Sequence, residues 1–358
     1  MKIYYLVATQ YTNLGDLLIN KMLISELTKY GDVYLDLKNV PDEFAKSLLQ
    51  IPETIDAYRE YGLSLKGKEI IKTLSFIRDH NIKHFFISPG PKGTSSVFDL
   101  KAISLIFIFS IFKIIGVNQY IVGSEFVISN VFSRFYISVI CRIMNVLYIR
   151  NKVDTELYKR KYGEKIRFIP DLALLYPEKL DGGINNEMWL SFRSSKIGDV
   201  SYVYNLLIPI ISFCKINKLK IVLCYQVISD EKFNNELFKR ISQIYNDVSF
   251  EQNIITYENI DLYCNAKYLI SNRLHVLLLG YLHGAIPFYI EEDNSNKSKT
   301  GKVFESLYLT PNIIHKDELK NTELFIEKIN FANESKIFSN IDSFSRMIEK
   351  EIFNLFDN

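Results

Sequence analysis

Short runs of β-forming residues alternate with longer segments of helical periodicity along the whole chain. The first half contains KIYYLVA, DVYLDL, HFFIS, NQYIVG and VLYIR, and the second half contains EMWLSF, LKIVLCYQ, VSFEQ, KYLIS and IPFYI. This alternation is typical of parallel sheets covered by helices on both faces. The pattern therefore predicts an α/β protein.

The hydrophobic periodicity is interrupted once, in IPDLALLYPEKLDGGINNE, where prolines and glycines cluster with polar residues. A chain of 358 residues is long for one compact domain. We predict two Rossmann-like domains, residues 1–180 and 181–335, in a GT-B-like arrangement with a ligand cleft between the carboxyl ends of their sheets. We expect the remaining segment, 336–358, to form a helix that crosses back to the first domain.

Charge and composition exclude several classes of protein. The 43 basic and 41 acidic residues give a net charge of +2, which argues against nucleic acid as the main partner. The four cysteines lie far apart in apolar segments, as expected of free thiols in a reducing compartment. The N-terminus reaches polar residues before a signal-peptide core could form. These features predict a cytoplasmic protein.

The most apolar segment is AISLIFIFSIF, from Ala102 to Phe112. It is too short to cross about 30 Å of hydrocarbon. We predict a buried helix here. The alternative is an element at the membrane surface, which would suit an enzyme with lipid-linked substrates at the inner face of the membrane.

The segment KYLISNRLHVLLLGYLHGA predicts a strand that ends at Ser271, a turn at Asn272 and a helix from about Arg273. Unpaired N–H groups at a helix start favour anions, and Arg273 and His275 would complete a site for phosphate and carboxylate. The alternative is that Arg273 pairs with a carboxylate of the other domain and that His275 is a core histidine with its hydrogen bonds satisfied.

The sequence NLGD follows the first predicted strand and opens an amphipathic helix. Asp16 suits a helix cap, and its place at a strand end also suits chemistry at the sheet edge. Glu125, at the exit of the fourth predicted strand, is a candidate base for a sugar hydroxyl; the alternative is pairing with a lysine.

Several segments together resemble the polysaccharide pyruvyl transferases, and they occur in that family's order. They are NLGD (13–16), YIVGSEF (120–126), YIRNKVDTELYKRKYG (148–163), PDLALLY (170–176), WLSFR (189–193) and SNRLHVLLLGYLHGAIPFYI (271–290). The chain departs from the family at SPGPKG (88–93), where Gly90 alone matches a glycine triplet. Proline stiffens such a loop and removes an N–H donor.

The resemblance implies a GT-B-like fold and transfer of pyruvate from phosphoenolpyruvate to two hydroxyls of a sugar, forming a cyclic ketal in surface-polysaccharide assembly. It implies no metal and no cofactor. The candidate catalytic residues are His275, Asp16 and Glu125. Donor binding is assigned to Arg193, Arg273, Asn272 and Lys299, and acceptor binding to Asn13, Gly90 and Lys92.

Two rival functions remain open. One is a GT-B glycosyltransferase that uses a nucleotide sugar, because a helix start also suits a diphosphate. The other is a catalytically silent polysaccharide-assembly protein, which the altered SPGPKG segment favours. The predicted partners are phosphoenolpyruvate and a saccharide acceptor that can be lipid-linked, with peripheral membrane association and no nucleic acid.

Overall fold

The computed structural model describes residues 1–94, 99–177, 186–193, 197–291, 298–320, 322–334 and 337–357. The chain divides into two compact units. The first comprises Met1–Tyr11, Asp16–Leu172 and Arg346–Asn358, and the second Thr12–Gly15 and Ala173–Ser345. The boundary predicted at residues 180 and 181 lies outside the described residues, as do residues 335 and 336.

The first unit contains an eight-stranded parallel sheet in the order β3-β2-β1-β4-β6-β7-β8, with β5 paired to β6. Its strands are β1 Lys2–Leu6, β2 Asp32–Asp36, β3 Thr54–Asp56, β4 His84–Ile87, β5 Gly90–Lys92, β6 Asn118–Phe126, β7 Val146–Ile149 and β8 Ile166–Phe168. Its strands are mainly buried, and near-continuous apolar strands are what a sheet covered on both faces requires.

Helices connect these strands as parallel crossovers require. They are α1 Leu14–Thr28, α2 Asp42–Leu49, α3 Ala57–Tyr61, α4 Ile70–Asp79, α5 Leu100–Ile114, α6 Val131–Ile143 and α7 Lys152–Tyr162. Side-chain caps fix several of the starts. Asp99 accepts from the backbone N–H groups of Lys101 and Ala102 at α5, and Asn130 forms a capping box with Ser133 at α6.

The second unit contains a six-stranded parallel sheet in the order β11-β10-β9-β12-β13-β14. The strands are β9 Glu187–Ser191, β10 Lys220–Leu223, β11 Val248–Phe250, β12 Ala266–Ser271, β13 Ile286–Glu291 and β14 Ile313–His315. The helices are α8 Val200–Asn217, α9 Ile228–Ile241, α10 Leu274–Leu282, α11 Lys299–Ser306, α12 Thr322–Glu334 and α13 Ile341–Phe353. Helix α13 begins in the second unit and continues into Arg346–Asn358, which belongs to the first unit.

The predicted α/β class is confirmed, with two Rossmann-like units built on parallel sheets. All ten predicted strands are present. Four strands were not predicted, namely β3, β5, β8 and β14, and each has three residues. A run this short is below the four to eight residues over which alternation can be recognised; β11 also has three residues, but the predicted run VSFEQ that contains it has five.

The apolar segment at Ala102–Phe112 lies in α5, and the prediction of a buried helix is only partly correct. Ala102, Ile108, Phe109 and Phe112 are buried, whereas other apolar residues of the helix face solvent. Among the described residues, one helix is long and apolar enough to cross a membrane, α8, and 44% of its length is buried in the protein. Buried residues such as Leu207 and Ile210 make α8 a core helix of the second unit.

Candidate functional site

Two neighbouring strands of the second unit, β9 and β12, end at the same level, and β13 beside them continues two residues further. Ser191 of β9 pairs with Ser271 of β12, and Ser271 pairs with Tyr289 of β13. Arg193, Arg273 and Glu291 therefore each lie two residues beyond one rung of the sheet. Because adjacent strands are about 4.8 Å apart, this edge gathers two arginines and a carboxylate within a short distance.

Two asparagine amides hold the backbone that follows β9. Asn272 accepts from the N–H of Arg193 (2.8 Å) and donates to its carbonyl (3.1 Å). Asn234 of α9 makes the same pair of bonds with Phe192, both at 2.9 Å. The backbone from Phe192 to Arg193 is thus fixed by four hydrogen bonds, while the Arg193 side chain is exposed.

Arg273 immediately precedes α10, in the position where the helix begins. Its guanidinium binds the carboxylate of Asp230, in the first turn of α9, through both Nε and Nη2. Burial raises the pKa of the Asp230 carboxyl, although Arg273 acts in the opposite direction. Arg273 therefore forms an ion pair that joins two helix starts within the second unit, and not a pair with a carboxylate of the other domain as the alternative interpretation expected.

His275 lies in the first turn of α10, where the helix itself cannot satisfy its first N–H groups. Gly15, which belongs to the same unit, leaves the space that this imidazole occupies. A Cβ on Gly15 would lie 1.9 Å from His275 Nδ1. Asn13 accepts from the N–H of Gly15 at 3.1 Å, so the NLG segment is shaped to receive the histidine.

Glu291 ends β13 beside the start of α11. Its carboxylate accepts from the hydroxyl of Tyr289 (3.2 Å), and that hydroxyl also bonds Ser298 (2.6 Å), the residue that caps α11. A Cβ on Gly301 would lie 2.5 Å from Glu291 Oε2, so glycine lets the carboxylate approach the helix start. Lys299 is the first residue of this helix, and Lys297 lies outside the described residues.

The first unit gathers a second set of charges, at the carboxyl edge of its own sheet. Asp16 lies in the first turn of α1, not in the capping position, and accepts from Thr9 Oγ1 at 2.6 Å. Gly90, with φ of 97°, follows β4, and a Cβ on it would lie 3.4 Å from Asp16 Oδ1. Within SPGPKG, Gly90–Lys92 pairs with β6 as the short strand β5.

A buried arginine joins two carboxylates at the same edge. Arg150 Nη2 lies 2.9 Å from Glu125 Oε2, and Arg150 Nη1 lies 3.0 Å from Asp171 Oδ2. All three side chains are buried. Glu125 thus pairs with an arginine and not with a lysine.

Lys92 is buried, and its amine interacts electrostatically with Asp16, Glu125 and Arg150. Burial lowers the pKa of its amine to about 8, against the opposing influence of Asp16. The amine donates to the carbonyl of Ser88 at 2.6 Å. A buried amine of this kind can accept or release a proton near neutral pH.

The candidate residues therefore fall into two groups. The first unit brings together Asp16, Gly90, Lys92 and Glu125, and the second brings together Asn13, Arg193, Asn272, Arg273 and His275, with Lys299 at the start of α11. Sequence reasoning missed Asp230, Asn234, Asp171 and Glu291. Of these, Glu291 alone carried a usable signal, because it directly follows a predicted strand. Within the described ranges, no group of three His, Cys, Asp or Glu residues could hold a metal ion.

No protein-family model and no curated protein matches the chain. Solved structures do match it over nearly its whole length. UDP-GlcNAc 2-epimerase from Neisseria meningitidis, bound to UDP-GlcNAc, has a TM-score of 0.63 at 10% identity and covers 100% of both chains. The enzyme of the same name from Methanocaldococcus jannaschii has a TM-score of 0.61 at 13% identity, covering 99% of this chain and 100% of that one.

A third match is Anabaena Alr3699/HepE in complex with UDP and glucose, with a TM-score of 0.59, 13% identity and 99% coverage of both chains. These similarities establish a GT-B-like fold. They also correct the expectation of pyruvyl transfer from phosphoenolpyruvate, which is wrong, because the solved structures that match include UDP-GlcNAc 2-epimerases and a protein crystallised with UDP and glucose.

Proposed function

We propose that the chain is an enzyme that uses a nucleotide sugar and binds the nucleotide in its second unit. The observation that carries this proposal is that Arg193, Arg273 and Glu291 each lie two residues beyond one rung shared by β9, β12 and β13. At that level the unit presents an exposed arginine, the start of α10 and a buried carboxylate.

Each of these groups matches a part of a nucleoside diphosphate. The first-turn N–H groups and the partial positive charge at the start of α10 suit the phosphates, and Arg193 adds a guanidinium whose backbone is already fixed. Glu291 supplies carboxylate oxygens that can accept hydrogen bonds from the ribose hydroxyls, as acidic residues do in other nucleotide-binding α/β folds. His275, in the first turn of α10, would lie beside the phosphates.

The chain also contains titratable side chains that could act as acids or bases in catalysis. Lys92 has its pKa near 8, and His275 is a further candidate acid or base.

The test is calorimetric titration with UDP, UDP-GlcNAc and UDP-glucose, followed by an assay of sugar-nucleotide consumption. We expect UDP to bind the wild-type protein, and Arg193→Ala to weaken it by about tenfold to a hundredfold, as for loss of a charge-assisted hydrogen bond. Arg240→Ala, an exposed arginine in the last turn of α9, is the matched control and should bind normally.

Failure of every nucleotide and nucleotide sugar to bind would overturn the proposal. Equal binding by the Arg193 and Arg240 variants would remove the strand-end site from it. Binding without consumption of any sugar nucleotide would contradict the enzymatic part and would favour a binding protein.

A further inference from the structure

Helix α5 presents a row of apolar side chains to solvent. Leu100 is 71% exposed, Phe107 65% and Ile114 83%. Residues seven apart return to nearly the same side of a helix, so these three form one stripe, to which exposed Ile103 also belongs. The core contacts of α5 come from its other side, so packing of the first unit does not require the stripe.

Helix α6 extends this apolar surface. It packs beside α5, and Lys113 Nζ near the end of α5 donates to the carbonyl of Arg142 near the end of α6 (3.4 Å). On the solvent side of α6, Val131 is 83% exposed and Phe135 56%. We call these six residues the α5–α6 patch: Leu100, Ile103, Phe107, Ile114, Val131 and Phe135.

The charges on these two helices all have one sign. Their exposed basic residues are Lys101, Lys113, Arg134 and Arg142, and neither helix contains an aspartate or a glutamate. Asp99 precedes α5, and its carboxylate accepts from two backbone N–H groups of the first turn. Two helices that expose apolar side chains and carry only basic charges are complementary to a surface that is apolar inside and anionic outside.

We propose that the α5–α6 patch docks the first unit on the surface of a membrane that contains anionic lipids. The apolar side chains would enter the boundary between headgroups and acyl chains, and the four basic residues would lie against lipid phosphates. A helix of 15 residues is shorter than the roughly 20 needed to span the bilayer, so α5 lies along the surface. Exposed apolar patches of this kind mark interaction sites in proteins that are otherwise well packed.

The test is sedimentation of the full chain with phosphatidylcholine vesicles, with and without phosphatidylglycerol. We expect binding to the anionic vesicles that weakens as sodium chloride is raised. Phe107→Ser combined with Phe135→Ser should lower the partition coefficient by about tenfold or more, because two aromatic side chains no longer enter the interface. Lys101→Glu combined with Arg134→Glu should lower it by at least about fivefold per residue.

Ile216→Ser is the matched control, since Ile216 is also largely exposed but lies in α8 of the second unit; this variant should sediment like the wild type. UDP affinity, measured on the same preparations, should be unchanged in all variants, which separates this proposal from that for the nucleotide site. Absence of wild-type binding to anionic vesicles would overturn the proposal. So would self-association of the wild type that the phenylalanine substitutions abolish, because the patch would then be an interface between copies.

Discussion

Lys92 shows how burial converts an ordinary amine into a group that titrates near neutral pH. Removal from water disfavours the ammonium, and the nearby carboxylates of Asp16 and Glu125 recover only part of that cost. The lowered pKa also affects stability. In the unfolded chain the amine stays protonated up to about pH 10.5, whereas in the folded protein it releases its proton above about pH 8.

We predict that the stability of the wild type, relative to a Lys92→Met variant, rises between about pH 8 and pH 10.5. Below pH 8 the folded protein contains a buried ammonium, and the penalty of about 3 kcal/mol is fully present; it disappears as the proton is lost. Urea unfolding of both proteins at pH 7, 8.5 and 10 measures the difference.

Lys92→Arg is the control, because a guanidinium stays protonated throughout this range. The wild type should gain stability relative to the arginine variant with the same pH dependence, whatever the absolute offset between the two variants. A difference independent of pH in both comparisons would contradict the lowered pKa.

At the scale of elements, the edge of the second sheet is organised by side chains that fasten one strand end to another. Ser271 Oγ donates to the carbonyl of Ser191 at 2.5 Å, and Asn272 bonds both backbone groups of Arg193. These bonds join β9 to β12 where their ladder ends. The position of Arg193 therefore depends on Asn272, which is remote in sequence.

We predict that Asn272→Ala lowers the free energy of unfolding by about 1–3 kcal/mol, because it leaves two backbone groups of Arg193 without their partner. It should also weaken UDP binding several-fold, since Arg193 is no longer held. Asn217→Ala is the control; its side chain makes one bond to the carbonyl of Phe213 within α8. An Asn272 variant that is less stable but binds UDP normally would show that the amide has only a structural role.

The sequence predicts the helices and strands of this protein better than it predicts which distant residues contact one another. The strand before Ser271 and the helix after Arg273 follow from local hydrophobic runs and a turn, and both are present. The pairing of Arg273 with Asp230 joins residues 43 positions apart in sequence and depends on how two strands align. No local pattern contains that information, and the same holds for Arg150 with Glu125 and Asp171.

The functional prediction failed for a related reason. An arginine and a histidine at a helix start indicate an anion, but phosphoenolpyruvate and a nucleotide diphosphate share the chemistry that such a start recognises. Glu291 directly follows a predicted strand, but only the alignment of β13 with β12 shows that it lies level with Arg273. The sequence therefore indicated that the site binds an anion, but not which anionic substrate it binds.

At the scale of the whole molecule, the end of the chain is part of the first unit. Ile348 and Ile352 of α13 are fully buried, and Tyr120 Oη donates to the carbonyl of Leu355 at 3.3 Å. Phe356 stacks on Tyr30 with ring centroids 4.4 Å apart. A segment that follows the second unit in sequence thus completes the core of the first.

We predict that Ile352→Ala lowers the free energy of unfolding by about 2–5 kcal/mol, although only six residues follow it in the sequence. The cost arises because the deleted methyl and methylene groups leave a cavity in a packed core, whereas chain ends are usually tolerant of change. Glu349→Ala, on the exposed side of the same helix, removes a surface ion pair with Lys29 and should cost less than about 1 kcal/mol. Urea unfolding of the two variants measures both free energies of unfolding. Similar small decreases in both would mean that residues 346–358 contribute little to the stability of the first unit. A large decrease confined to the Ile352 variant would show that this segment completes the fold of the first unit.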